Sequence, residues 1–293
     1  MRWIGPKPTL QKIGTIGAFR VFNRMVGALV LVVLFVPLMV MCRVLGWTGW
    51  QSRVAQIGSR LMLAVIGLKL RVDGQDTGQP GAVVANHTSW LDIFVLYAAV
   101  PGQFVAKAEV SKWPGIGVLG KLVGTIFIDR VRTQAASHVD FLKAKLGKRE
   151  RLIFFPEGTS TDGQRILTFR STLFEVFLGG GSTRDLALTP VFLKYQPVAE
   201  LDERYYGFYS GTDFGKHMLH VLALKPGGAV DVSIGAPLSV AEFETRKELA
   251  QSAETALRAL APDQIAKRSA NDFSVATGSS LRQTSAPSAT KST

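Results

Sequence analysis

GAVVANHTSWLDIFVLYAA, Gly81–Ala99, changes character halfway along. Its first part, AVVAN, is a short run of small and β-branched apolar residues that reads as a strand, while Leu91 to Ala99 reads as a helix. Between them NHTSWLD, Asn86 to Asp92, carries a histidine, two hydroxyls and an aspartate within seven residues. Working outward, the same alternation continues. LKLRV precedes the stretch, and QFVAK, TIFID, LIFFP, LALTPVFL and AVDVSI follow it as further strands. Gly115–Leu122, Gln134–Leu146 and Ser171–Leu178 lie between strands as helical candidates, and Ser239 with Glu242 forms a capping-box signature for a helix running to about Ala261. Strands alternating with helices predict an α/β fold, a largely parallel sheet flanked by helices. The proline in LALTPVFL, Pro190, argues for an edge strand or a bulge, because proline cannot donate to a ladder.

Upstream of the first strand the composition is different. The net charge is +12, and ten basic residues, from Arg2 to Arg71, precede the first acid, Asp73. The remaining 24 basic and 22 acidic residues nearly cancel. The early cations flank an apolar run, MVGALVLVVLFVPLMVMC (Met25–Cys42), bounded by Arg24 and Arg43. That distribution fits an anionic bilayer surface and argues against a nucleic-acid partner. Eighteen uncharged residues are at the lower limit for crossing a bilayer core of about 30 Å. No small-residue cleavage site follows, so the run reads as an uncleaved membrane helix rather than a signal peptide, with Trp47 and Trp50 at the level of an aromatic belt. Arg60–Lys69 is apolar but short and reads as an interfacial helix or a helix packed beside the first. The expected organisation is thus a basic N-terminus with membrane and interfacial helices over residues 1–67, an α/β domain over 68–262, and a Ser/Thr/Ala-rich disordered tail over 263–293.

The lone cysteine, Cys42, lies in the apolar run, which excludes intrachain disulfides and makes a cysteine-linked intermediate untenable. His138, His217 and His220 are scattered, no carboxylate cluster completes a metal shell, and no G-x-S-x-G elbow occurs. NHTSWLD itself admits two readings. Ser89-x-x-Asp92 matches a helix start, which explains both residues without chemistry. His87, however, sits at a strand's carboxyl end, where open α/β sheets hold ligands, and Asp92 can reach back to orient its imidazole as a base. Downstream, GTIFIDR ends on Arg130, a cation suited to phosphate or carboxylate, or else a surface partner of Asp129. FPEGTSTDG, Phe155–Gly163, is a rigid turn that brings Glu157 toward the same sheet edge, or an ordinary tight turn.

NHTSWLD, GTIFIDR, FPEGT and LTPVFL, in this order and spacing, resemble the four motif blocks of the glycerolipid acyltransferase family, which includes bacterial 1-acylglycerol-3-phosphate acyltransferases. The resemblance covers roughly Leu68–Pro237. It implies that His87 deprotonates a lysolipid hydroxyl, which attacks a thioester directly, and that Asp92 orients the base. Acyl-carrier protein or acyl-CoA is the implied donor, with no cofactor and no metal. Arg130 takes the family's phosphate-binding role, the third-block residues Glu157, Gly158 and Thr159 bind the acceptor, and Lys107 adds to the anion site. Helix amides after His87 are expected to hold the oxyanion. One departure stands out: phosphatidate-forming members often continue FPEGTRS, whereas here Thr159-Ser160-Thr161 follows, with Arg165 as a candidate substitute. FPEGTSTDG and GFYSGTDFGKHML look similar to the branch that acylates lyso-ornithine lipids. The expectation is phosphatidate formation first and lyso-ornithine lipid as the alternative acceptor, with a non-catalytic membrane-binding relative as the rival of another class. The implied location is the cytosolic face of a bacterial inner membrane. Translocating the early cations is disfavoured, so the N-terminus is expected on the catalytic side.

Overall fold

The computed structural model describes residues 3–112, 116–128, 135–178 and 185–266. Two helices come first, α1 (Thr15–Val44) and α2 (Thr48–Ile66). Then follow β1 (Leu68–Asp73), β2 (Gly81–Ala85), α3 (Asp92–Ala99), β3 (Gln103–Lys107), α4 (Ile116–Leu122), β4 (Ile126–Ile128), α5 (Ala135–Gly147) and β5 (Arg151–Phe154). The chain continues with β6 (Ala187–Gln196), α6 (Phe214–Ala223), β7 (Gly228–Ile234), β8 (Leu238–Ser239), α7 (Arg246–Ala259) and α8 (Asp263–Ala266).

The sheet runs β1-β7-β6-β2-β5-β3-β4, with β8 also on β6. The five strands β6, β2, β5, β3 and β4 are mutually parallel; β7 is antiparallel to β6, and β1 follows β7. Every residue of β2 and β5 is buried, as expected for strands covered on both faces. Side chains alternate between two cores. Val83, Ala85, Ile153, Val191 and Leu193 face α2, α3 and α6; Ala82, Val84, Leu152, Phe154 and Leu188 face α5, α7 and the 3-10 turn Ser171–Phe177.

Several expectations shift. The apolar helix is 30 residues long rather than the eighteen of Met25–Cys42, because its first turns continue as a packed helix against α6. There Gly17 lets the backbone approach Ala223, and buried Arg24 donates from Nη1 to Leu222 O (2.9 Å) and Leu224 O (2.8 Å), occupying carbonyls at the end of α6. The interfacial segment begins at Thr48, not Arg60, and stops at Gly67, whose φ of +84° closes the helix; Lys69 already belongs to β1. A side chain at Gly67 would also collide with the Arg24 guanidinium. Phe19, Phe22, Leu29, Val33 and Leu34 on α1 are each at least 61% exposed, and the helix is long and apolar enough to cross a membrane. α2 returns alongside it, with Gly27 against Val65 and Gly58 against Phe35. Both ends of this hairpin therefore meet the same domain.

Pro190 is not on an edge: β6 lies between β2 and β7. It is accommodated because β8 pairs only through Leu188 and β7 only from Val191, so its missing N–H falls in the gap, while its carbonyl accepts from Gly235 N at 2.9 Å. The capping box lies six residues later than expected. Thr245 and Glu248 cap α7, whereas Val240–Glu242 is a separate 3-10 turn. Asp263–Ala266 is helical rather than part of a tail, because Ile265 is buried in the core and Arg258 donates to Ala266 O. Residues 267–293, where the disordered tail was expected, lie outside the described residues. α6 was not anticipated as a helix.

Candidate active site

The site forms where β2 leaves the sheet. Asn86, buried just beyond the last β2 residue, substitutes its side chain for the ladder: Oδ1 accepts from Leu193 N (2.7 Å) and Nδ2 donates to Leu193 O (3.0 Å). This keeps β6 satisfied while the main chain turns away, delivering His87 to the carboxyl ends of the parallel strands. Two further loops hold it there. His87 N donates to Glu157 Oε1 (3.0 Å), and His87 O accepts from Thr161 N (2.9 Å). The imidazole stacks on Phe155, with centroids 4.0 Å apart and planes at 12°.

His87 Nδ1 lies 2.8 Å from Asp92 Oδ2. The carboxylate accepts there, so Nδ1 carries the hydrogen and Nε2 is the basic nitrogen. Asp92 is fully buried and saturated with donors. Oδ2 also receives Thr88 N (2.8 Å) and Ser89 N (3.0 Å), and Oδ1 receives the Tyr195 hydroxyl (2.7 Å). Burial, and secondarily the Asp92 charge, push the Tyr195 phenol well above its ordinary value, so it remains a donor. The helix-start reading and the acid–base reading of NHTSWLD are thus both true, because one carboxylate serves the backbone N–H groups and the imidazole. The same geometry takes two amides out of the oxyanion expectation: those of Thr88 and Ser89 are committed to Asp92.

His87 and Asp92 are brought together as expected, whereas the other predicted residues fall differently. Lys107 ends β3, paired in register with Ile128 at the end of β4, at the same sheet edge. Arg130 lies outside the described residues. Glu157 is buried, and its two oxygens take His87 N and Leu167 N (3.1 Å), so it supports the main chain that carries His87. Burial pushes its carboxyl up to about 8, with the two N–H bonds working in the opposite direction. Gly158 needs its φ of +72°, and the Arg170 side chain lies where a Cβ would project, 3.1 Å away. Thr159 sits half-buried beside Trp3, whose N lies 3.5 Å from its Oγ1. Arg165 is held by Asp162 (Nε to Oδ1 3.2 Å) and lies 4.9 Å over the Trp3 ring. Ser160, at the position of the family arginine, donates its hydroxyl to Phe208 O.

Sequence reasoning missed Asn86, Tyr195 and Phe155. Only Asn86 left a signal, a polar residue directly after an apolar strand. His217 proves structural. Its Nδ1 accepts from the Trp90 indole (3.0 Å), its Nε2 donates to Tyr205 O (3.2 Å), and burial pushes it down to about 4, so it stays neutral.

A buried carboxylate behind an imidazole whose other nitrogen is basic is equipped to take a proton from a hydroxyl nucleophile. Residues 69–194 match the family model described as Acyltransferase. A lyso-ornithine lipid O-acyltransferase from Rhodobacter capsulatus is 39% identical over 73% of this chain and 77% of its own length. Another from Brucella abortus is 32% identical over 85% and 95% respectively. In fold, the crystal structure of the 1-acyl-sn-glycerophosphate acyltransferase from Thermotoga maritima matches with a TM-score of 0.58 at 19% identity, over 83% of this chain and 95% of that one. Relatedness over most of the chain and a shared architecture converge: this protein belongs to the acyltransferase family, as a lysolipid acyltransferase.

Proposed function

We propose that the protein transfers a fatty acyl chain from a thioester donor, acyl-carrier protein or acyl-CoA, to the free hydroxyl of lyso-ornithine lipid. His87 Nε2 removes the hydroxyl proton as the oxygen attacks the thioester carbonyl; Asp92, 2.8 Å from Nδ1, stabilises the resulting imidazolium. Collapse of the tetrahedral adduct breaks the carbon–sulfur bond, and the imidazolium returns the proton to the departing thiolate. The ester forms directly, without an acyl-enzyme.

The observation that carries the choice of acceptor is relatedness. The two relatives described above bear the name lyso-ornithine lipid O-acyltransferase, at 39% and 32% identity. The third block agrees with this. An arginine suited to a phosphate is replaced by Ser160, which is turned toward Phe208 O, and Arg165 is engaged with Asp162. The acceptor placed first on sequence grounds, 1-acylglycerol-3-phosphate, becomes the second reading, favoured by a Neisseria meningitidis 1-acyl-sn-glycerol-3-phosphate acyltransferase at 28% identity over 72% of the chain. The proposed location is the cytosolic face of the inner membrane, with the α1–α2 hairpin inserted and both its ends on the donor's side. Lys107 and Arg130 are proposed to face the acceptor's anionic group.

The test is transfer of labelled acyl groups by membranes carrying the protein, with lyso-ornithine lipid and lysophosphatidate as separate acceptors. The expected result is transfer to lyso-ornithine lipid, abolished by His87→Ala. Transfer to lysophosphatidate alone would reverse the acceptor assignment, and full activity in His87→Ala would end the mechanism.

A further inference from the structure

The amino-terminal residues lie outside the four motif blocks, yet Trp3–Pro6 are bound to the loops around His87. Trp3 is only 3% exposed and forms a small core with Leu167 and Tyr209. Its ring lies 4.9 Å from that of Tyr209 and, on its other contact, 4.9 Å from the Arg165 guanidinium. Gly5 N donates to Ser210 Oγ (2.8 Å), and Pro6 O accepts from the Tyr209 hydroxyl (2.7 Å). The arm thus spans the third-block loop, residues 159–167, and the loop 204–210.

Both loops end on the catalytic main chain. Leu167, under Trp3, donates its N–H to Glu157 Oε2, and Glu157 Oε1 receives His87 N. Thr161 N donates to His87 O at 2.9 Å. On the other side Phe208, one residue before Tyr209, donates its N–H to Thr88 O at 2.8 Å. The Ser160 hydroxyl joins the two loops through Phe208 O. The peptide groups flanking the His87 ring therefore rest on a frame that the arm closes from outside.

We infer that Trp3 is a positioning residue for His87, and that Trp3–Pro6 act as a strap completing the active-site frame. This rests on His87 being the base. Releasing the strap keeps the His87–Asp92 hydrogen bond but frees the loops, and with them the main chain that carries the imidazole, to shift. A displacement of about 1 Å at a catalytic group costs on the order of 10²-fold in rate. Trp3→Ala is accordingly expected to lower kcat by roughly 10- to 100-fold, with little change in KM for the thioester donor. Trp3→Phe keeps a ring between Arg165 and Tyr209 and should restore most of the rate.

The experiment measures kcat, KM and Tm for the full-length protein in membranes, with palmitoyl-CoA or palmitoyl-acyl-carrier protein as donor and lyso-ornithine lipid as acceptor. Wild type, His87→Ala, Trp3→Ala and Trp3→Phe are compared with Leu257→Ala, a destabilising core change on α7. The inference predicts a fall in kcat for Trp3→Ala well beyond that of Leu257→Ala at matched loss of Tm, with rescue by Trp3→Phe. A kcat within twofold of wild type, or a loss no greater than that of Leu257→Ala, would overturn the strap. A His87→Ala protein as active as wild type would instead overturn the underlying mechanism, so the two failures are distinguishable.

Discussion

Asp92→Asn separates two ways in which a carboxylate can serve an imidazole. In serine-hydrolase triads an amide partner imposes the wrong tautomer and lowers kcat about 10⁴-fold. The donor arrangement here predicts otherwise. Three N–H groups, from the His87 ring, Thr88 and Ser89, converge on Oδ2, and the Tyr195 hydroxyl alone meets Oδ1. An asparagine amide must keep its oxygen on the three-donor side, since the reverse abandons three bonds each of about 1 kcal/mol. Its NH2 then points at Tyr195, whose hydroxyl can rotate to accept. The Nδ1–H tautomer of His87 survives, and only the negative charge is lost. Replacing a charge-assisted bond by a neutral one costs about 1 kcal/mol, and the Coulomb attraction for imidazolium at about 4 Å in an effective dielectric near 20 sets an upper bound of about 4 kcal/mol. The expected loss in kcat is therefore on the order of 10²-fold, and no more than about 10³-fold. Acyl-transfer kinetics with saturating donor, together with ¹⁵N shifts of the imidazole, measure both quantities. A loss near 10⁴-fold in folded protein, or a proton found on Nε2 instead of Nδ1, would refute the reasoning.

Glu157 yields a stability prediction with a definite sign. Its carboxyl is raised from the ordinary 4.5 to about 8, so between those values the folded state holds a proton that the unfolded chain has lost. The contribution is present below about 4.5 and is lost as pH rises toward 8, by up to about 1.4 kcal/mol per pH unit; Glu157→Gln should flatten this slope while impairing activity, and parallel Tm curves would contradict it. Gly158→Ala places a side chain at φ +72° against Arg170 and should destabilise the protein by roughly 1–2 kcal/mol, read from denaturant midpoints. Arg24→Leu leaves Leu222 O and Leu224 O without their donor and should lower Tm and loosen α1 from the domain, which limited proteolysis between the two reports.

The strand–turn–helix reading of Gly81–Ala99 carried the architecture, because burial on both faces writes itself into AVVA of β2 and LIF of β5 as apolar runs. His87 and Asp92 were legible for a related reason: five residues apart across a strand end and a helix start, their meeting is local. What stayed hidden was long-range. Tyr195 lies 103 residues from the carboxylate it serves, and nothing in LKYQ distinguishes it from any aromatic on a strand. Glu157 was expected to face the acceptor, since a sequence cannot show that two backbone N–H groups claim both oxygens. The capping box was misplaced by six residues because Ser239 and Thr245 each have an acid three residues on, and only packing selects between them. Pro190 was misassigned because a gap between two partner strands looks, in sequence, like an edge.

The Arg24 attachment bears on how a lipid reaches the site. Drawing an acyl chain into water costs about 0.8 kcal/mol per methylene, roughly 12 kcal/mol for a sixteen-carbon chain. An enzyme that lifted its acceptor out of the bilayer would need to recover that work in binding. With α1 in the bilayer as proposed, its fastening to α6, whose His217 holds the Trp90 indole of the first block, fixes the height of the proposed base above the lipid surface. The lysolipid then brings its hydroxyl to His87 while its chain stays among its neighbours. Lateral diffusion in two dimensions replaces extraction in three, and depth in the membrane becomes a selection criterion that no side chain in the site has to supply.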